Sequence, residues 1–177
     1  YSLAATTPEE KIARDELLAL RPDLVVDVVD AGNLERNLYL TLELAEMGLP
    51  VVVALNLVDE ARGKGLTIDA NMLARELGLA VVPLVASRGE GVSELCEQTL
   101  RDTPAARPLV TYQPSIEAAV EELSGLLENS PERRWLALAA LSGETVKLPR
   151  PVAERAETLR QKLEADGADP FLEIAGQ

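Results

Sequence analysis

The residues best suited to chemistry are Asn56 and Asp59. They stand in the string Asn56-Leu57-Val58-Asp59, directly after the aliphatic run Val51-Val52-Val53-Ala54-Leu55. An ionised carboxylate accepts two parallel N–H bonds. Guanine presents N1–H and its 2-amino group side by side, and adenine has neither donor, so Asp59 would select guanine by being left unpaired with adenine. Asn56 would donate its amide toward the N7 and O6 side of the base while its carbonyl ties down a neighbouring loop. Four residues alone are explained equally well as caps of the strand and of the loop that follows.

A second loop narrows the choice. The run Ala80-Val81-Val82-Pro83-Leu84-Val85 ends in Ala86-Ser87-Arg88-Gly89-Glu90-Gly91. Backbone N–H groups of such a loop are placed to reach the guanine O6, with Arg88 over the base or at its rim. Gly89-Glu90-Gly91 also reads as a plain turn before a helix starting at Val92. Two loops on consecutive strand ends are a more specific signal than either alone, because ligands in open α/β sheets bind at the carboxyl ends of the strands.

Three short runs, Leu24–Val29, Val51–Leu55 and Ala80–Val85, are continuous in hydrophobicity, which predicts parallel strands covered on both faces. Helical periodicity is predicted over Glu9–Leu20, Glu35–Met47, Asp69–Leu77 (with Gly78 as its stop) and Val92–Thr99. The alternation predicts an α/β fold with right-handed crossovers. Past Thr103-Pro104-Ala105-Ala106-Arg107-Pro108 the β-branched runs disappear, and helices are predicted over Ser115–Glu128, Pro131–Leu141 and Val152–Ala165, with a further segment from Asp169-Pro170. The expected division is therefore 1–103, a parallel three-stranded sheet with helices, and 104–177, a small all-helical subdomain. Three strands are half of a doubly wound sheet and would expose a hydrophobic edge. With Tyr1 rather than methionine at the start, this predicts further strands upstream.

Composition excludes several classes. Of 177 residues 47% are hydrophobic and 27% charged, with 17 basic against 30 acidic side chains for a net charge of −13. That balance argues against a nucleic-acid partner. No histidine and one cysteine argue against zinc, haem or iron–sulfur sites and against a disulfide framework, and suit a reducing compartment. No apolar stretch is long enough to span a bilayer.

Other features have simpler explanations. Gly63-Lys64-Gly65 lacks the Gly-x-x-x-x-Gly-Lys-Ser/Thr spacing that cradles phosphate, and is expected to be a flexible loop. Asp30, near Gly32 and Asn33, sits where Mg²⁺ could be ligated, but Asn33 is expected to cap the helix after it. Cys96 is expected to be an inert core thiol, and Trp135 the anchor of the helical core. Glu9-Glu10 suits the first turn of a helix.

Several longer strings carry a resemblance. Tyr1-Ser2-Leu3, Pro8-Glu9-Glu10, Val28-Val29-Asp30-Ala31, Val52-Val53-Ala54-Leu55-Asn56 and above all Asn33-Leu34-Glu35-Arg36-Asn37-Leu38-Tyr39-Leu40-Thr41-Leu42 resemble the FeoB family, bacterial ferrous-iron transporters with an N-terminal cytosolic G domain. Arg133-Arg134-Trp135-Leu136-Ala137-Leu138 and Asp169-Pro170 are similar to its helical domain. The resemblance covers essentially the whole chain.

It implies a P-loop-type GTPase sheet, of which the guanine-reading part is present. The phosphate-binding loop, switch I and three strands would lie before Tyr1, and residues 1 to about 16 would end switch II. It also implies GTP and GDP as ligands, with Mg²⁺ held through the upstream part. A transmembrane iron-permease domain would follow downstream, at the cytoplasmic face of the bacterial inner membrane.

Asn56, Asp59, Leu57, Ala86, Ser87 and Arg88 would form the guanine site, with no catalytic or metal-binding residue in these 177. Leu57 occupies the slot commonly filled by lysine in Asn-Lys-x-Asp, and Ala86 one where relatives often carry serine. The isolated chain is expected to lack GTPase activity. A non-catalytic interaction module derived from a G domain is the competing expectation. A phospho-receiver domain is disfavoured, because Ser87-Arg88-Gly89 stands where its lysine would be.

Overall fold

The computed structural model describes residues 8–127, 130 and 132–175. Tyr1-Ser2-Leu3, and with it the start of the expected switch segment, lies outside them. The chain divides into two compact units. One is Arg21–Leu109, and the other gathers the helix before Arg21 with the chain from Val110 onward. This differs from a division at 103/104. The proline-rich segment stays with the sheet, because Ala106 N–H donates to Leu49 O at 3.1 Å and Ala105 pairs with Pro50.

In the sheet unit three parallel strands, β1 (Val25–Asp30), β2 (Val51–Asn56) and β3 (Ala80–Pro83), lie in the order β1-β2-β3. The register aligns Asp30 with Asn56 and Leu55 with Pro83. Every residue from Val51 to Leu55 is buried, as the continuous apolar run predicts for a central strand. β1 departs from that expectation. Asp27 and Val29 are buried, while Val26 and Val28 are 38% and 62% exposed, so β1 is covered on one face only.

Helix α2 (Leu34–Glu46, with α1 being Pro8–Leu20) packs on β1 and β2 and supplies the cover of the inner face. The Thr41 hydroxyl donates to Asp27 at 2.5 Å within this layer. Burial pushes the Asp27 carboxyl above its ordinary range, and the Thr41 hydrogen bond pulls it partly back. The expected Asn33 cap is not formed. Asn33 occupies the N-cap position of α2, but its side chain donates to Asp30 at 2.7 Å instead.

Helix α3 (Val58–Gly63) was not legible as a helix, whereas α4 (Ala70–Leu77) begins on an Asp69 cap and ends at Gly78 in the left-handed region. Asp69 accepts from Asn71 and Met72 N–H, satisfying two of the first-turn donors. Helix α5 (Val92–Thr99) touches β2 and β3 only lightly, and Cys96 is exposed rather than part of the core. The helix buries no residue fully, so Cys96 falls on its outer side.

The other unit is built from α1, α6 (Pro114–Gly125), α7 (Arg133–Leu141), α8 (Arg150–Ala165) and α9 (Pro170–Ala175). Its core includes Ile116, Leu123, Leu138, Leu141 and Ile174, all essentially inaccessible. Trp135 is buried, with the Arg14 guanidinium 5.4 Å from its ring centroid and paired to Glu144 at 2.6 Å. No helix among the described residues is long and apolar enough to cross a membrane.

Arg134 and Glu117 clamp the entry to this unit. Arg134 donates from both terminal nitrogens to the Glu117 carboxylate, at 2.8 and 3.0 Å, and also to Val110 O. Tyr112 N–H donates to the same carboxylate. The Arg134 hydrogen bond, foremost, holds the Glu117 carboxyl below its ordinary value despite partial burial. A depressed carboxyl contributes stability that is present above its unfolded value and lost as pH falls through the folded one. Glu117→Gln is therefore expected to lower helical-unit stability at neutral pH by about 1–3 kcal/mol. It should also flatten the loss of stability on acidification, as read by Trp135 fluorescence in urea titrations. An unchanged acid limb would show that the clamp does not couple to folding.

Candidate guanine site at the β2 and β3 carboxyl ends

The site begins where β2 ends. Asn56 is its last residue, and Leu57 takes φ 61°, ψ 31°, a left-handed conformation that costs a non-glycine residue of order 1 kcal/mol. The chain there leaves the strand sharply and starts α3 at once, so Asp59 falls in the first turn of α3, half-buried. The strained residue is what sets Asn56 and Asp59 close together instead of on opposite sides of an extending strand.

The second loop is closed on itself. Leu84 N–H donates to Leu55 O, extending the β2–β3 pairing beyond the named strand. Val85 pairs with Glu90 across the turn, its N–H donating to Glu90 O at 3.0 Å. Between them Ala86–Arg88 form a single 3₁₀ turn, with Gly89 and Gly91 both at positive φ. At Gly91 the requirement is absolute, because a Cβ would stand 2.3 Å from Pro83 O.

Asn56 joins the two loops. Its side-chain oxygen accepts the Ala86 N–H at 3.1 Å, which leaves the amide NH₂ as the group directed elsewhere. Asp59 joins them a second time, its Oδ2 lying 3.0 Å from Arg88 Nη2. Asp59 Oδ1 is shielded from solvent and has no hydrogen-bond partner among the described residues. Such an oxygen is an acceptor awaiting a donor.

The structure thus brings Asn56, Leu57, Asp59, Ala86, Ser87 and Arg88 to one place. Not all are available as first imagined. Within the turn, the Ala86 N–H is spent on Asn56 and the Arg88 N–H on Val85 O, leaving Ser87 as the remaining backbone donor of the three to consider. Ser87 and Arg88 are exposed, and Leu57 is half-buried beside the loop junction. Neither the Leu57 backbone conformation nor the Arg88–Asp59 pair carries a sequence signal.

Asp30 is not arranged as a Mg²⁺ ligand among the described residues. Asp30, the candidate ligand, is consumed locally, accepting from Gly32 N–H and Asn33 Nδ2 at 2.7 Å each. The Asn33 contact, foremost, and then the Gly32 contact hold its carboxyl below the ordinary range. Among the described residues no group of His, Cys, Asp or Glu is arranged to hold a metal.

The parallel sheet with its strand-end loop pair, together with the helical unit, defines an α/β fold with an all-helical part. Residues 1–99 match the family described as ferrous iron transport protein B. The chain is 39% identical over 185 residues to the Fe(2+) transporter FeoB of Salmonella typhimurium, covering 99% of this chain and 24% of that one. It is 44% identical over 156 residues to the Fe(2+) transport protein A/Fe(2+) transporter FeoB fusion protein of Porphyromonas gingivalis, covering 81% and 18%.

Among solved structures, mGMPPNP-bound NFeoB from S. thermophilus superimposes with a TM-score of 0.86 at 34% identity, over 98% of this chain and 70% of that one. The same protein bound to GDP.AlF4- and K+ gives 0.86 at 32%, over 98% and 72%. The chain belongs to the FeoB family and matches its N-terminal region. It spans about a quarter or less of the curated relatives it matches.

The Asn56–Ala86 contact makes a direct prediction. Removing the acceptor in Asn56→Ala should speed hydrogen–deuterium exchange of the Ala86 amide by about tenfold, the worth of one hydrogen bond. Unchanged exchange would show that the Val85–Glu90 pairing alone holds the loop.

Proposed function

We propose that this chain carries the base-reading half of a guanine-nucleotide switch. Asp59 accepts guanine N1–H and the 2-amino group, and the Asn56 amide donates toward N7 and O6. Leu57 lies beside the base, and Ala86, Ser87 and Arg88 form the loop that closes over it. The observation that carries the reading is the Asp59 carboxylate, one oxygen shielded and unpartnered, in the loop that Asn56 ties to the end of the next parallel strand. The nucleotides named for the S. thermophilus structures support the same ligand class.

In the intact protein the reading is GTP binding and hydrolysis that regulates ferrous-iron uptake through a transmembrane permease domain of the same polypeptide, on the cytosolic side of the bacterial inner membrane. Phosphoryl transfer requires Mg²⁺ and a backbone cradle for the β- and γ-phosphates. No Gly-x-x-x-x-Gly-Lys-Ser/Thr string occurs in these 177 residues, and on this reading both lie in another part of the intact protein. The helical unit is the regulatory segment that senses the nucleotide state. Iron is cargo of the permease part, in keeping with the absence of histidine and the single, exposed cysteine here.

A scaffold role without chemistry is favoured by one feature, the uncovered Val26 and Val28 face on the edge strand β1. Titration with labelled GDP, GTP and ADP separates the two. Weak binding with a guanine preference of about ten- to hundredfold, abolished by Asp59→Ala, is the expected result. No GTP turnover above buffer is expected in a single-turnover assay of the 177-residue chain. Binding of neither base would put the scaffold reading first, and clear turnover would show that the phosphate cradle is not where it is placed here.

A further inference from the structure

We propose that Arg88 is the nucleotide-free occupant of the base-reading carboxylate: its guanidinium holds Asp59 where guanine would, and moves toward Glu90 when the base enters. The inference rests on the guanine reading above and gives Arg88 a role distinct from stacking on the base.

Three observations carry it. First, Arg88 takes Asp59 by one point only, Nη2 to Oδ2 at 3.0 Å, while Oδ1 stays shielded and unpartnered. A guanidinium and the guanine edge both present paired N–H donors to a carboxylate, but guanine, entering squarely, would satisfy both oxygens. The exchange replaces a one-point contact with a two-point one. Adenine, with no such donors, would open the pair and return nothing.

Second, Arg88 is free to leave. Its side chain is 61% exposed, so little packing is lost when it swings. The backbone beneath it is fixed by the Val85–Glu90 pairing and the Ala86 contact with Asn56, so the motion is confined to the side chain.

Third, a second seat is at hand. Glu90 Oε1, itself on an exposed side chain, lies 3.9 Å from Arg88 Nη1. Arg88 stands between two carboxylates, one of which guanine needs. An exposed ion pair is worth little, so the displacement lowers affinity by a small factor and does not bar the site.

The test uses the ¹⁵N-labelled 177-residue chain, titrated with guanosine and with adenosine. Both are uncharged and need no phosphate cradle, and amide shifts of residues 56–59 and 86–91 report binding. Arg88→Ala should bind guanosine about two- to fivefold tighter than the unaltered chain at low salt. Because an ion pair is screened and guanosine is neutral, the unaltered chain should gain affinity between about 0.05 and about 0.5 M salt, converging on Arg88→Ala, which should barely respond.

Weaker or equal binding by Arg88→Ala, or a salt-independent unaltered chain, overturns the proposal while leaving the guanine reading intact. The guanine reading itself fails in a different way. Guanosine and adenosine would then bind alike or not at all in both chains, or the preference would survive Asp59→Ala. That result would remove the basis for an Arg88 exchange as well.

Discussion

The candidate site depends on the burial of β2. Val51 to Leu55 are inaccessible on both faces, and that fixes where the strand ends and in which direction Asn56 leaves it. A one-residue slip would carry every side chain of the strand to the opposite face and break its packing on both sides. The Asn56 contact to Ala86 inherits that precision, because Leu55 also receives the Leu84 N–H and holds the start of the second loop in register. Positioning of both loops is thereby traced to five aliphatic residues.

Such a site was legible where its cause lay in composition and illegible where it lay in backbone torsion. The β2 run, the Gly78 stop, the Asp69 start and the pairing of the two strand-end loops all follow from local residue types. Helix α3 did not, since Val58–Gly63 is short and carries a glycine at its end, and it begins from a left-handed leucine that no propensity favours. The Asn33 cap failed for a related reason. Asn33 donates through Nδ2 to the Asp30 carboxylate, a charged acceptor, and its Oδ1, oriented by that bond, makes no cap hydrogen bond to the backbone donors of α2.

Cys96 and the outer face of β1 show the opposite error. In both places hydrophobic sequence was read as burial. Val28 is 62% exposed, although its valine neighbours in β1 are of the same residue type as those of β2. Periodicity reports what a strand or helix is able to bury, and the neighbours decide how much of it is covered. Asp27, on the inner face between two exposed valines, is the residue that breaks the pattern. It is accommodated there through Thr41 on α2 and a carboxyl pushed toward its neutral form.

The Arg134–Glu117 pair of the helical unit is built differently. Arg134 satisfies Glu117 by both carboxylate oxygens and reaches a backbone carbonyl besides, so that pair is closed on itself. Asp59 has a cation of the same kind nearby and yet receives only one contact, with its second oxygen shielded and empty. The same arginine–carboxylate chemistry is thus complete where it joins α6 to α7 and incomplete at the strand ends. A protein that leaves a half-satisfied carboxylate at the mouth of an otherwise rigid loop pair incurs a desolvation cost in the free state, and a ligand with two parallel donors recovers it. That difference between the two pairs, more than the residue types alone, is what favours Asp59 over Glu117 as the proposed binding group.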